Sequence, residues 1–316
     1  MIDVWPAQDA LASITAQFEG NGGGPYNVTK NLAKLECGFP LAGVGLIGRD
    51  VDGETILRDC KEHGIDAAGI QQTTNAPTSY TDVMTVGSTG RRTFFHQQGA
   101  NALLDAAHFD LSKTTAKIFY LGYMCLLPKL DLLDAGRTAA SRLFEQAHSL
   151  DMITVADLVS SEVGDFSSVV NPSLPFLDYL FLNEYELARL VGGKMSASRD
   201  RLESQLREVV KRGIRGAVIV HLPEGAMCLG REQPFIWQPS VNVPQNFVVG
   251  TAGAGDAFSA GFLLGLHEGW DSRRCLELGV CVAAASLRDA TCSGAIEPWK
   301  TCLELGAKMG FQKGML

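Results

Sequence analysis

The chain lacks the features that mark most alternative functions. No run of about 18 apolar residues occurs in its 316 positions, so no segment can span a bilayer as a helix. No cleavable secretory segment opens it, and the expectation is a cytoplasmic protein without a membrane partner. Basic clusters are missing as well. Lys and Arg number 27 against 35 Asp and Glu, a net charge of -8, and Arg91-Arg92 is the nearest approach to a phosphate-binding run. Such a surface repels a nucleic-acid backbone, so no nucleic-acid partner is expected.

Metal and disulfide frameworks are equally absent from the pattern. The cysteines at 37, 60, 125, 228, 275, 281, 292 and 302 form no CxxC pair and no zinc spacing with histidine. Several sit in apolar stretches, such as Val280-Cys281-Val282-Ala283, and read as reduced small hydrophobes. Common nucleotide motifs are missing too. There is no GxxxxGK[ST] loop, Phe258 stands where a dinucleotide fingerprint has its last glycine, and HRD and DFG do not occur.

What is present suits a large α/β protein, with 46% hydrophobic and 20% charged residues. Apolar residues Val28, Leu32 and Leu35 fall at helical spacing, followed by a short strand at 41–46 and a helix at 54–63. From 73 to 98 the texture turns to Ser, Thr and aromatic residues, with 80–86 and 92–96 able to pair across Gly87-Ser88-Thr89-Gly90 as a hairpin. Strands are expected at 117–121, 152–156, 179–182, 216–221 and 234–237, and helices at 131–149, 184–191, 200–212, 256–268, 273–287 and 298–310. This alternation predicts a largely parallel sheet covered by helices on both faces, with ligands beyond the carboxyl ends of the strands.

The chemistry concentrates in Gly250-Thr251-Ala252-Gly253-Ala254-Gly255-Asp256, which follows the apolar strand end Phe247-Val248-Val249 and opens a helix. Without side-chain bulk, backbone N–H groups can converge there at the positive end of the helix dipole and hold an anion. Asp256 has two readings at this point: an N-cap that serves its own helix, or a general base beside the anion hole.

Read together, separated motifs resemble the ribokinase-like (PfkB) family of carbohydrate kinases. Gly22-Gly23 followed by Asn27 resembles the N-terminal GGxxxN element, Gly45-x-x-Gly48-x-Asp50-x-x-Gly53 follows, Asn183-Glu184-Tyr185-Glu186 resembles NxxE, and Gly253-Ala254-Gly255-Asp256 resembles the GAGD signature. The resemblance spans nearly the whole chain. It implies a single three-layer α/β/α ribokinase-like domain over 1–316, with a largely parallel central sheet and a small β-sheet lid from about 12–20 and 73–98. It also implies transfer of the γ-phosphoryl group of ATP to a sugar hydroxyl, with Asp256 as catalytic base and the 253–256 backbone, including Ala254, as anion hole. Glu186 and Asn183 would organise Mg2+ and its waters. The sugar would meet Asp3, Gly22, Gly23, Asn27, His96 and Asn101. The nucleotide would meet Asn183, Thr251, Gly253, Gly255, Ala284 and the strand-and-turn residues His221 and Gly225, where Pro223 replaces a family glycine. Plainer structural roles stand beside these: N-cap for Asn183, first-turn dipole partner for Glu186, turn residues for Gly48 and Asp50, helix packing for Ala284.

A lid with unpaired strand edges implies a homodimer. Two departures accompany the resemblance. Gly250 replaces the aspartate that begins the family signature, which leaves use of a monovalent cation open. The family's opening strand before the sugar-binding aspartate is also largely missing. A nucleoside kinase of the same fold, or a catalytically silent sugar- or nucleotide-binding regulator, are the competing expectations.

Overall fold

The computed structural model describes residues 1–161, 165–194 and 198–314. In chain order its elements are α1 (Gly24–Lys34), β1 (Leu41–Gly48), α2 (Val51–Glu62), β2 (Ile65–Thr73), β3 (Tyr80–Thr85), β4 (Arg92–Gln97) and β5 (Ile118–Met124). After these come α3 (Pro128–Asp131), β6 (Leu133–Asp134), β7 (Arg137–Thr138), α4 (Ala139–Ser149), β8 (Ile153–Leu158), α5 (Phe166–Val170), β9 (Tyr179–Asn183), α6 (Glu184–Leu190) and α7 (Arg199–Lys211). The chain finishes with β10 (Ala217–Leu222), β11 (Gly225–Gly230), β12 (Ile236–Pro239), α8 (Ala254–His267), α9 (Ser272–Ser286) and α10 (Trp299–Met309).

Six strands form the central sheet in the order β12-β11-β10-β9-β8-β5. The pairs β5–β8, β8–β9 and β9–β10 are parallel, and β11 and β12 continue the sheet antiparallel. Strand alternation divides the core into two apolar layers. Leu180, Leu182, Val218 and Val220 pack on one face with Leu143, Leu187 and Leu206, while Phe181, Ala217 and Ile219 pack on the other with Val28, Phe258, Phe262 and Leu278. Helices α4, α6 and α7 therefore cover one face and α1, α8 and α9 the other, a three-layer α/β/α sandwich.

The expected helices recur, with one change. The region 131–149 is not continuous, because Ala135 and Gly136 take positive φ (48° and 77°) and turn β6 into β7 before α4 begins. Thr138 and Ser141 then cap α4 reciprocally. Residues 65–73 form a strand that the sequence pattern did not reveal, paired in parallel with β1 and outside the six-stranded sheet.

Strands β3 and β4 pair as the expected hairpin, Tyr80 opposite Gln97 and Thr85 opposite Arg92. The expected lid strand at 12–20 does not form: only an isolated bridge joins Ile14 to Ile2, which also bridges Val86. Leu11, Ile14 and Phe18 are exposed, so no apolar face is buried that would hold a strand register. The expected strand end at 247–249 is likewise absent. Gln245–Phe247 is a 3-10 turn and Val249 is exposed, since no neighbouring strand is available to pair with it. All eight cysteines are free, and among the described residues no helix is long and apolar enough to cross a membrane.

Candidate active site

The parallel strands β5, β8, β9 and β10 end on one side of the sheet, and the start of α8 lies against that side. Gly253 takes the left-handed conformation (φ 72°, ψ 6°) immediately before α8, and no side chain caps this helix. A Cβ at Gly253 would sit 2.6 Å from Cβ and 2.7 Å from Cα of Cys292, so glycine is required there by conformation and by space. Gly255 is crowded in a similar way: a Cβ would approach the His221 ring at 3.0 Å. The result is a helix N-terminus that no side chain caps, a site suited to an anion.

Asp256 lies in the first turn and is 6% exposed. It does not cap its own helix. Its Oδ2 accepts a 2.8 Å hydrogen bond from Asn27 Nδ2 on α1, and its Oδ1 accepts a 2.6 Å bond from the Tyr123 hydroxyl near the end of β5. The N-cap reading of Asp256 is therefore excluded, and the carboxylate is presented to side chains from two distant parts of the chain. Burial pushes its pKa up to about 6, against the pull of the Tyr123 and Asn27 donors. A carboxylate near that value can take a proton at neutral pH and give it up again.

Next to this pair lies a second buried one. Tyr120 donates to Asp157 Oδ2 at 3.0 Å, and Ser259, one turn along α8 from Asp256, reaches the same oxygen at 3.3 Å. Burial raises Asp157 well above the carboxylate range, and the nearby Glu186 and Asp256 charges raise it further.

Asn183 and Glu186 behave differently. Asn183 caps α6 by accepting from the Glu186 N–H at 2.9 Å, and Glu186 Oε2 accepts in return from the Asn183 N–H at 2.9 Å. Glu186 Oε1 also accepts from Asn183 Nδ2 at 2.9 Å and Ser160 Oγ at 2.8 Å. Despite these donors, burial pushes Glu186 up to about 7. A nearby cation would favour its ionised form, and with its oxygens already hydrogen-bonded the residue suits contact with magnesium through water. No cluster of three metal-ligating side chains occurs among the described residues.

A family model for the pfkB family carbohydrate kinases matches residues 1–302. The chain belongs to that family. Among its relatives, the ATP-dependent ribose-1-phosphate kinase of Halopiger xanaduensis is 27% identical over 276 residues, covering 87% of this chain and 83% of that protein. Ribokinase from Thermotoga maritima superposes with a TM-score of 0.77 at 20% identity, covering 96% of this chain and 93% of that one. Arabidopsis thaliana ribokinase complexed with ribose and ATP gives a TM-score of 0.72 at 21% identity, with the same coverage.

The other expected site residues of this pfkB kinase are spread unevenly. Gly22 and Gly23 are exposed just ahead of α1, and Gly23 (φ 94°) accepts from the Asn27 N–H. Asp3 is exposed, and its carboxylate accepts from the N–H groups of Val4 and Ser13. His96 lies on hairpin strand β4 with Nδ1 2.8 Å from Thr81 Oγ1, and Asn101 is in the 3-10 turn after the hairpin. His221, next to last in β10, lies against Gly255, and burial lowers its pKa to about 4, so its ring is neutral. Thr251 is exposed ahead of α8.

Three residues make close contacts within the fold. Gly225 faces the Gln238 carbonyl and the Trp237 ring with no room for a side chain, and Pro223-Glu224 makes the tight turn into β11. Ala284 is buried in the apolar layer of α9. Asp50 caps α2 and accepts from the Thr78 backbone N–H (2.7 Å) and hydroxyl (2.6 Å), which ties the segment ahead of β3 to that helix.

At Gly250 a Cβ would lie 2.8 Å from the Asp289 carbonyl and 2.9 Å from Cα of Ala290. The 289–290 backbone thus occupies the space that an aspartate would need. Tyr123 and Cys292 were not singled out from the sequence. Tyr123 carried a usable signal, since it follows Gly122 at the carboxyl end of a predicted strand, where α/β ligands bind.

Proposed function

We propose that this pfkB-family kinase transfers the γ-phosphoryl group of ATP to a hydroxyl of a small sugar, with Asp256 as the general base. The observation that carries this reading is the Asp256 carboxylate, buried at the mouth of an uncapped helix and held by Asn27 and Tyr123 rather than by its own backbone. The acceptor hydroxyl would approach Asp256 and lose its proton to it as the oxygen attacks phosphorus. The N–H groups of 253–256, including those of Ala254 and Gly255, would stabilise the charge on the transferring group. Asn27 orients the base and stands ready to meet the acceptor, together with Gly22, Gly23 and the lid residues His96 and Asn101. Asp3 would join them after releasing the Val4 and Ser13 N–H groups.

Nucleotide phosphates would lie along Thr251, Gly253 and Gly255, with neutral His221 beside them. Glu186 and Asn183 would hold Mg2+ through its waters, and that ion would neutralise charge on the phosphate oxygens. A homodimer through the lid is supported by its exposed apolar surface, which includes Trp5, Tyr80, Phe94 and Phe95. Eight free cysteines suit the reducing cytoplasm.

The test is ADP release with MgATP over D-ribose, D-fructose, ribose 1-phosphate, 5-dehydro-2-deoxygluconate and adenosine. Turnover with a sugar and loss of it in Asp256→Asn is the expected result. Preference for adenosine would make the protein a nucleoside kinase, and tight sugar binding without ADP release would make it a silent binder.

A further inference from the structure

The geometry points to Tyr123 as the residue that positions the base, a role made possible by the missing side chain at Gly24. The inference rests on the reading of Asp256 as the base. Three separated positions meet here. The Tyr123 hydroxyl donates to Asp256 Oδ1 at 2.6 Å, while Asn27 Nδ2 binds Oδ2 at 2.8 Å from the other side. One donor on each oxygen fixes the plane of the carboxylate, which neither could do alone. The Tyr123 ring occupies the space beside Gly24: a Cβ at that position would lie 2.6 Å from Cε1 and 2.7 Å from Cζ. Gly24 opens α1, so the glycine run ahead of this helix does more than turn the chain. It leaves a slot for an aromatic ring that reaches the base.

Tyr123 is suited to be a permanent donor. Burial and the neighbouring Asp256 charge hold its own pKa well above 10, so its proton stays in place throughout the working range of a kinase. Its bond to the ionised form of Asp256 opposes the upward push of burial.

The groups around the base come from every element packed on it. Asn27 on α1 is neutral, Tyr120 on β5 is held well above 10, and Asp157 on β8 well above the carboxylate range. His221 on β10 is neutral against Gly255, Cys292 is pushed up to about 11, and Arg92 from the lid lies near Cys292. Tyr123 and Asn27 are thus the donors that hold Asp256 ionised.

Tyr123→Phe keeps the ring in its slot and removes the donor. The Asp256 carboxyl can be followed by 13C NMR in protein labelled at aspartate carboxyl carbons, with Asp256→Asn assigning the resonance. Loss of a hydrogen bond to the charged form raises the pKa, and the expected shift of the midpoint in Tyr123→Phe is upward by about one pH unit. Gly24→Ala, which pushes the ring aside, should move it the same way. The acid limb of kcat/KM should follow, with whichever sugar of the panel turns over. An unmoved midpoint in Tyr123→Phe would overturn the inference while leaving the kinase intact. A moved midpoint in a protein that phosphorylates no acceptor would keep the positioning contact and remove the kinase reading.

Discussion

Two helices of this protein begin with an acidic residue in the first turn and spend it in opposite ways. At α6, Asn183 and Glu186 close the helix start on itself, each accepting the other's backbone N–H. At α8, Gly253 leaves the start without any side-chain cap, and Asp256 turns away to Asn27 and Tyr123. The closed start saves its helix the cost of unsatisfied donors. The open start keeps those donors for a ligand and presents a buried carboxylate beside them. The same sequence signal, an acid near a helix N-terminus, thus closes one helix start and leaves the other open.

The sharpest way to break this contrast is Asp256→Asn. Phosphoryl transfer should fall by about 10²–10⁴-fold, as expected for removal of a general base, while ATP affinity by calorimetry stays close to the parent value. Near-normal turnover would sink the assignment.

Gly253→Ala attacks the open start itself. The added Cβ meets Cys292 and demands a left-handed backbone from a residue that resists it. Transfer should drop by about 10²-fold, with a stability loss of about 1–3 kcal/mol in chemical denaturation. Loss of stability with full activity would separate the glycine from the anion hole.

The closed start is tested by Glu186→Gln. A weakened demand for the ion should appear as a rise of about 10-fold or more in the magnesium concentration that half-saturates the reaction. Asn183→Ala, by contrast, should cost about 1 kcal/mol of stability through the lost cap. If Glu186→Gln leaves the magnesium dependence unchanged, the lock is purely structural.

The raised pKa of the carboxylate at the open start can be tested by pH. Burial pushes the Asp256 pKa up to about 6, and a general base works only when deprotonated, so kcat/KM should decline as pH falls through about 6. For stability the sign is reversed. A carboxyl whose folded pKa lies above its unfolded value contributes fully below the unfolded pKa, and that contribution is lost as pH rises through about 6. Asp256→Asn should therefore melt higher than the parent at pH 8, with the gap closing near pH 4. A constant gap in thermal melts at both pH values would contradict the raised pKa.

Much of this arrangement was legible in the residues. The α/β alternation, the helices of the second half and the hairpin at 80–97 follow from apolar period, turn residues and β-branched texture. The glycine-rich start of α8 follows from residue types that have few other uses. That no strand forms at 12–20 was not legible, because nothing local says whether a partner will bury its apolar residues, which stay exposed. The helix expected from 131 failed for a related reason, since its pattern did not register the turn that Ala135 and Gly136 impose on the backbone.

The sequence by itself determined the layers of the fold and the chemical character of the open helix start, since periodicity and glycine act over a few residues. It left Asp256 undecided between cap and base. Only the tertiary structure excluded the cap, because Asn27 and Tyr123, which bind the carboxylate, lie 229 and 133 positions away along the chain. It likewise decided that the 289–290 backbone fills the space at Gly250 and that Gly24 makes room for Tyr123. Hydrogen bonds and steric fit at these positions depend on which strands and helices lie side by side, and local sequence carries no record of that distance.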